Sequence, residues 1–312
     1  MEIDIPQTGG APSIVQPDAP AAAKTAASIA ARAPRGFRPK ELLAGVLTHG
    51  ALIIAALIAA VPLLLIFFTS LKTETETFST TISILPKVWH WDNYSYVLHD
   101  NFLTYLRNSI YVALLTMAIA LCITLPAGYA LSRFEFLGKQ GVLLSFLVTQ
   151  MFPAPLLLVP LYLLYVNFHL LNNVNGLVIA YATTALPFSV WMLKNFFDSI
   201  PKELDQAGLV DGLNVWGVFY RIVAPLTIPG IAVVAFYNFM NSWNEFMFAN
   251  LFISSSDQQT LPISLHNYDF ATGVHWPWLC ADAILITLPV MFFFFWAQRY
   301  LIAGLTGGSV KG

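Results

Sequence analysis

The sequence predicts an all-α integral membrane protein with six transmembrane helices, and three observations lead there. The first is composition. Of 312 residues, 57% are hydrophobic and 10% charged, with a mean hydropathy of +0.67; soluble domains run at about 45–50% apolar and about 25% charged. The second is that the apolar residues fall in blocks, each long enough for the ~20 residues a helix needs to cross a bilayer. The third is the placement of basic residues between those blocks. With the N-terminus inside, Lys24, Arg32, Arg35, Arg38, Lys40, Arg133, Lys139, Lys194, Lys202, Arg221, Arg299 and Lys311 are cytoplasmic, and Lys72, Lys87 and Arg107 fall outside. That asymmetry orients the chain, with both termini cytoplasmic.

In chain order, residues 1–44 are rich in Ala and Pro and lack an apolar run, so they read as a disordered cytoplasmic tail rather than a signal peptide. The first span covers 47–71. A polar external loop comes next, with Trp89, Trp91, Tyr94 and Tyr96 suited to the membrane interface. The second and third spans cover 109–131 and 141–166; Pro153, Pro155 and Pro160 predict a kinked or locally unwound third span. The fourth, fifth and sixth cover 177–197, 228–253 and 278–301, and 302–312 form a C-terminal tail.

Between spans four and five lies a charged loop, 198–225. Pro201 suits a first helical turn, and Glu203 and Asp205 favour the positive end of a helix. Leu204, Ala207 and Gly208 give that helix a small, mildly apolar face. Asp211-Gly212 ends it, because glycine accepts the left-handed conformation of a helix terminus. Asn214 can cap a second helix carrying Val215, Trp216, Phe219 and Ile222 as an apolar stripe that runs to Pro225. The product is a knob that another protein can grip.

This loop resembles the EAA loop of the membrane-spanning permease subunits of bacterial ABC importers. Gln206-Ala207-Gly208 is followed by three residues, Gly212, nine residues, and Ile222-Val223-Ala224-Pro225, matching the spacing of that motif. Gln206 replaces its Glu, Gly208 its second Ala, and Ala224 its Leu; Gln206 keeps hydrogen-bonding capacity and loses the charge. Further likeness to carbohydrate-uptake permeases lies in Asn175-Gly176 through Leu186-Pro187-Phe188 to Lys194-Asn195-Phe196-Phe197, in Trp243-Asn244-Glu245-Phe246, and in the C-terminal Gln298-Arg299-Tyr300 and Gly304-Leu305-Thr306. The terminal Gly307-Gly308-Ser309-Val310-Lys311-Gly312 is similar to the tail of the maltose-type G permeases.

The resemblance implies the type I ABC importer permease fold with a cytoplasmic coupling helix between spans four and five, in a bacterial inner membrane. It implies ATPase coupling through Glu203, Gln206, Ala207, Gly208, Asp211, Gly212, Ile222 and Pro225, with a second ATPase contact through Gly308 and Lys311 of the tail. The implied partners are a second, homologous permease, two ATPase subunits and a periplasmic or lipid-anchored sugar-binding protein, besides membrane lipid. The implied substrate is a di- or oligosaccharide such as maltose, maltodextrin or trehalose, ahead of a polyol or glycerol phosphate. Transport is by alternating access.

The residues themselves exclude several classes. The chain lacks a Walker A motif: Gly138-Lys139-Gln140 has neither the hydroxyl residue nor the upstream glycine. ATP and Mg²⁺ are therefore expected on partner subunits, and no cofactor on this chain. The histidines show no metal-ligand spacing and no nucleophile elbow is present, so neither a catalytic nor a metal site is expected. No basic tract points to nucleic acid. Cys122 and Cys280 lie inside apolar blocks and read as inert core thiols.

A candidate substrate path lies in the fifth span. Asn238, Asn241, Ser242 and Glu245 recur at i, i+3, i+4 and i+7, on one face of a continuous helix, with Asn244 beside them. Such a stripe either lines a path and bonds sugar hydroxyls or holds helices together. Gln150 and Asp282 raise the same question, Asp282 at a hydrated position near the external interface. The competing class is a stand-alone secondary transporter, which calls for inverted repeats and coupling-ion carboxylates near mid-membrane. Among the carboxylates of the spans, Glu245 is the clear candidate for that role.

Overall fold

The computed structural model describes residues 39–80, 83–270 and 275–307, and all of the regular structure among them is helical. By contacts the chain divides into two units, Met1–Pro62 and Leu63–Gly312. The expected tail falls mainly on 1–38, outside the described residues, and helix α1 (Pro39–Ser70) has already begun at Pro39. In the first unit Val46, Leu47, Leu52, Ile53, Ile54 and Leu57 are all exposed. A helix apolar on every side has lipid or apolar protein as its natural surroundings.

The second unit is built around α2 (Leu103–Arg133), whose 31 residues span about 46 Å against a hydrocarbon core of about 30 Å. Helix also precedes it: Asp92–Val97 is helical and joins α2 through a break in which Asn101 takes φ +59°. The second span thus emerges from a helical base where the sequence suggested loop up to residue 104. In that base the Tyr94 hydroxyl meets Ser70 Oγ at 2.7 Å and Asn93 Nδ2 donates to the Ser70 and Lys72 carbonyls, closing the end of α1.

The third span is two helices, α3 (Lys139–Met151) and α4 (Ala154–Asn167), bent by 102°. Pro153 sits between them with extended backbone, and a proline there ends one helix while permitting the next to start. Helix α5 (Val174–Asp198) starts at the Asn173 cap and lies along α2. Their crossing is tight because it uses glycine: a Cβ on Gly128 would sit 3.1 Å from Leu193 Cβ.

The fifth span departs from expectation. Helix α8 (Ile228–Trp243; α6 and α7 lie in the preceding loop) stops after 16 residues, about 24 Å, short of a full crossing. A second, short helix, α9 (Met247–Phe252), follows beyond a break at 244–246. Helix α10 (Leu261–Phe270) and the long α11 (Trp276–Gly307) come after it. Among the described residues, four helices are long and apolar enough to cross alone, and up to six spans result if the bent pairs Lys139–Met151 with Pro155–Asn167 and Val215–Leu226 with Ile228–Trp243 each count as one.

Three apolar clusters among the described residues hold the second unit. One joins Val112, Leu177, Tyr181, Phe248 and Phe252; another Phe102, Phe239, Trp243, Leu261 and Ala281. The third, Tyr129, Leu193, Phe197, Phe219 and Val223, lies under the charged loop. Phe292, Phe294, Phe295 and Trp296 of the C-terminal aromatic run stay exposed, while Phe293 packs on Phe239 with ring centres 4.2 Å apart. Cys280 is buried as expected; Cys122 is exposed, on an outer face of α2 rather than in the core.

Candidate functional site

The loop after α5 forms two short helices, α6 (Glu203–Val210) and α7 (Val215–Val218). The Lys202 carbonyl accepts from the Asp205 and Gln206 amides, so α6 starts two residues after Pro201, later than the sequence suggested. Gly212 has φ +86°, the left-handed conformation that ends α6, and Asn214 Oδ1 accepts from the Gly217 amide at 2.7 Å to open α7.

The expected coupling residues sort by face. Glu203, Gln206, Ala207, Asp211, Gly212 and Pro225 are exposed, whereas Gly208 is buried and Ile222 half-buried. Gly208 is the inward contact: a Cβ there would meet Ile222 Cδ1 at 2.6 Å and Val218 Cγ2 at 3.0 Å. Outward, Leu209, Val210, Trp216 and Tyr220 leave large apolar surfaces in solvent, with Val210 88% exposed. That much uncovered apolar area on one small unit is the kind of surface that meets another protein or lipid. Gly308 and Lys311 of the tail lie outside the described residues.

Asp205 is buried, where the sequence suggested only a favourable position at a helix end. Its carboxylate accepts from the Tyr129 hydroxyl at 2.8 Å and from Arg133 Nε at 3.1 Å. The Arg133 side chain is 6% exposed and also donates to the Phe197 carbonyl at 2.9 Å, the Ile200 carbonyl at 3.1 Å and Ser132 Oγ at 3.2 Å. Ser132 in turn donates to Asp198, which pairs with Lys194. A planar guanidinium suits this task, because its fork reaches several acceptors in one plane. Phe197 is in the last turn of α5 and Ile200 lies two residues beyond its end, where the helix dipole favours a cation. Sequence reading missed this cluster, although a lone basic residue ending a span and acids at 198 and 205 were visible. Nearby, the hydrogen bond from Lys139 and then its charge hold the exposed Glu135 carboxyl below the usual range.

In the fifth span the expected stripe is broken. Asn238 is fully buried, exchanging hydrogen bonds with Ser189 Oγ of α5 and donating to the Val234 carbonyl at 2.8 Å. Ser242 is buried and Asn241 half-buried. Glu245 is off the helix. Its carboxylate accepts from the Phe248 and Ala249 amides at 3.0 and 3.3 Å, capping α9. Asn244 turns back onto the Met240 carbonyl at 2.8 Å, competing with the helical ladder at the point where α8 ends. The four residues therefore do not share one helix face, and Asn238 serves packing. Glu245 is half-buried. Asp282, expected to be hydrated, is fully buried and accepts from Ser264 Oγ at 2.6 Å. Gln150 is exposed.

A multi-pass α-helical bundle with a charged loop knob between two of its spans is the architecture of a membrane permease. The chain belongs to the family described as binding-protein-dependent transport system inner membrane component, whose model matches residues 120–307. It is an ABC importer permease, a multi-pass protein of the inner membrane. It is similar to the inner membrane ABC transporter permease protein YcjP of Escherichia coli K12, 33% identical over 259 residues that cover 82% of this chain and 92% of the relative. It is also similar to the arabinooligosaccharides transport system permease protein AraQ of Halalkalibacterium halodurans, 31% identical over 279 residues, 88% of this chain and 99% of the relative. In fold it matches a chain from the crystal structure of a bacterial ABC transporter involved in the import of the acidic polysaccharide alginate. That match has a TM-score of 0.69 at 22% identity and covers 85% of this chain and 99% of the other.

Proposed function

We propose that this chain is the permease subunit of an ATP-driven importer for a di- or oligosaccharide, moving substrate by alternating access. The observation that carries the coupling half of this reading is the α6–α7 knob, apolar and exposed outward while tied by Asp205 to the membrane helices. ATP and Mg²⁺ belong to partner ATPase subunits, because this chain has no P-loop. Closure of those subunits moves the knob, and the bundle changes the side to which its interior opens. The complex contains a second permease, two ATPases and an external sugar-binding protein, and both termini of this chain face the cytoplasm, as the distribution of Lys and Arg favours.

A sugar is favoured because relatives such as AraQ are named for oligosaccharide transport, and because an uncharged substrate suits spans poor in charge. Maltose, maltodextrin and trehalose are the sugars the C-terminal resemblance points to. Glu203, Gln206, Ala207, Asp211 and Gly212 face the ATPase cleft, with Gly208, Ile222 and Pro225 supporting them from the inner side and the flank. Asn241, Ser242, Asn244 and Glu245 remain the candidates on the path. The test is co-purification of the ATPase with the full chain and with a 203–212 deletion, alongside uptake of labelled maltose, trehalose and arabinooligosaccharide in cells. Loss of ATPase and uptake together on deletion is expected; an ATPase that stays bound without 203–212 overturns the coupling reading.

A further inference from the structure

The knob is attached to the rest of the second unit by contacts of two different physical kinds. On one side Gly208 packs on Val218 and Ile222, apolar contacts inside the loop itself that lead on to α8. On the other, Asp205 reaches α2 through Tyr129 and Arg133, and the same Arg133 holds the end of α5 by the Phe197 and Ile200 carbonyls. Between α6 and α2 the apolar packing is incomplete: a cavity of about 190 Å³ opens there, and Arg133 and Asp205 themselves line it beside Tyr129, Phe134, Lys202 and Leu209. Phe219, next to Val218, packs on Tyr129 and Phe197, so α7 reaches α2 and α5 through rings while α6 itself reaches them through the polar bridge.

We infer that Arg133 and Asp205, with the Tyr129 hydroxyl, form a positioning linkage that carries coupling-helix movement into the second and fourth spans. This rests on the coupling reading of 203–212 and adds a route through the membrane domain. Three features support it. Arg133 is committed on all sides, through Nε, Nη1 and Nη2, so it cannot follow one partner without moving the others. The pair has little surface in solvent, 6% and 13% side-chain exposure, although it lines the cavity. The bridged elements are a long helix and the end of its close-packed neighbour.

The experiment is hydrogen exchange on the complete purified transporter, nucleotide-free and trapped with ATP and vanadate, for wild type, Asp205→Asn, Asp205→Glu and Arg133→Gln. In wild type, trapping is expected to change exchange at 203–212 together with 129–134 and 197–200. Asp205→Asn keeps the ATPase bound and the response at 203–212, and cuts the response at 129–134 and 197–200 about tenfold, within the range of coupling between distant sites. Asp205→Glu, which keeps the carboxylate, restores it; a role in folding alone would not separate the two segments in this way. Should Asp205→Asn and Arg133→Gln both retain the wild-type response at all three segments, the linkage is refuted. It is equally refuted if wild type shows a response at 203–212 alone. An ATPase that leaves 203–212 unprotected in wild type instead sinks the coupling reading itself, a separable result.

Discussion

Position 208 offers a quantitative test of how the knob is built. The family motif has alanine where this chain has glycine, and the reason is local: an added Cβ would lie 2.6 Å from Ile222 Cδ1, 3.0 Å from Val218 Cγ2 and 3.6 Å from Leu213 Cδ1. The closest of these atoms is the tip of a flexible, half-buried side chain, which can turn to a neighbouring rotamer for about 0.5–1.5 kcal/mol. Against that, alanine in a helix interior is worth about 1 kcal/mol over glycine. The two terms cancel, so Gly208→Ala should shift stability by no more than about 1 kcal/mol, roughly 2–4 °C in melting midpoint. Gly208→Leu is different, because three further carbons must enter the space held by Val218 and Ile222, at an overpacking cost of about 1–3 kcal/mol. That side chain pries α6 off α7 and weakens ATPase retention. Thermal stability by size-exclusion chromatography of the solubilised complex, with the co-eluting ATPase quantified, reads both effects. A strongly destabilised Gly208→Ala, or a Gly208→Leu that matches wild type in both measures, refutes this account.

Gly230→Ala should destabilise by about 1–3 kcal/mol, since the new Cβ would stand 2.4 Å from Phe196 Cγ, the root of a ring rather than a free chain end; the same melting assay checks it. Glu245→Ala uncaps α9 at a cost of about 1 kcal/mol and lowers uptake, while Glu245→Gln keeps an acceptor oxygen and most of the stability; melting and uptake compared side by side separate capping from a need for charge. Asn238→Leu should cost about 1–3 kcal/mol by stripping Ser189 of its buried partner. Asn241→Ala should leave melting unchanged, and reduced uptake by that variant would place Asn241 on the path.

Spans one, four and six could be read from the sequence because long apolar runs have one dominant solution in a bilayer, an internally hydrogen-bonded helix. The loop was legible for a different reason: Gly212 and Asn214 are local signals whose effect does not depend on distant contacts. The fifth span misled because periodicity assumes an unbroken helix. Asn244 and Glu245 read as members of one polar face, yet Asn244 folds back onto Met240 and Glu245 caps α9. Polar residues that can bond their own backbone carry this ambiguity wherever they stand. Asp282 and Asp205 were misplaced on the same principle, since burial of a carboxylate depends on partners far away in sequence: Ser264 for one, Tyr129 and Arg133 for the other.

Two attachments of unlike chemistry on one small helix have a mechanical consequence. Apolar contact is non-directional, so the Gly208 face can slide or rock over Val218 and Ile222 at little cost while it stays covered. A guanidinium–carboxylate contact with further bonds to backbone carbonyls is directional, and displacing it leaves a charge short of partners in a shielded place. On the linkage inferred above, the ion pair would act as the fixed point and the glycine face as the bearing. Force on α6 would then rotate it about Asp205 rather than drag it free, and α8 and the α2–α5 pair would receive different displacements from one push. Relative movement of those two sets of helices is what opening a bundle on one side and closing it on the other requires. The same logic explains why a lysine at 133 is a poor substitute: an ammonium keeps the charge but cannot reach Asp205, Phe197 and Ile200 through a fixed planar fork, so the pivot loosens even where the pairing survives.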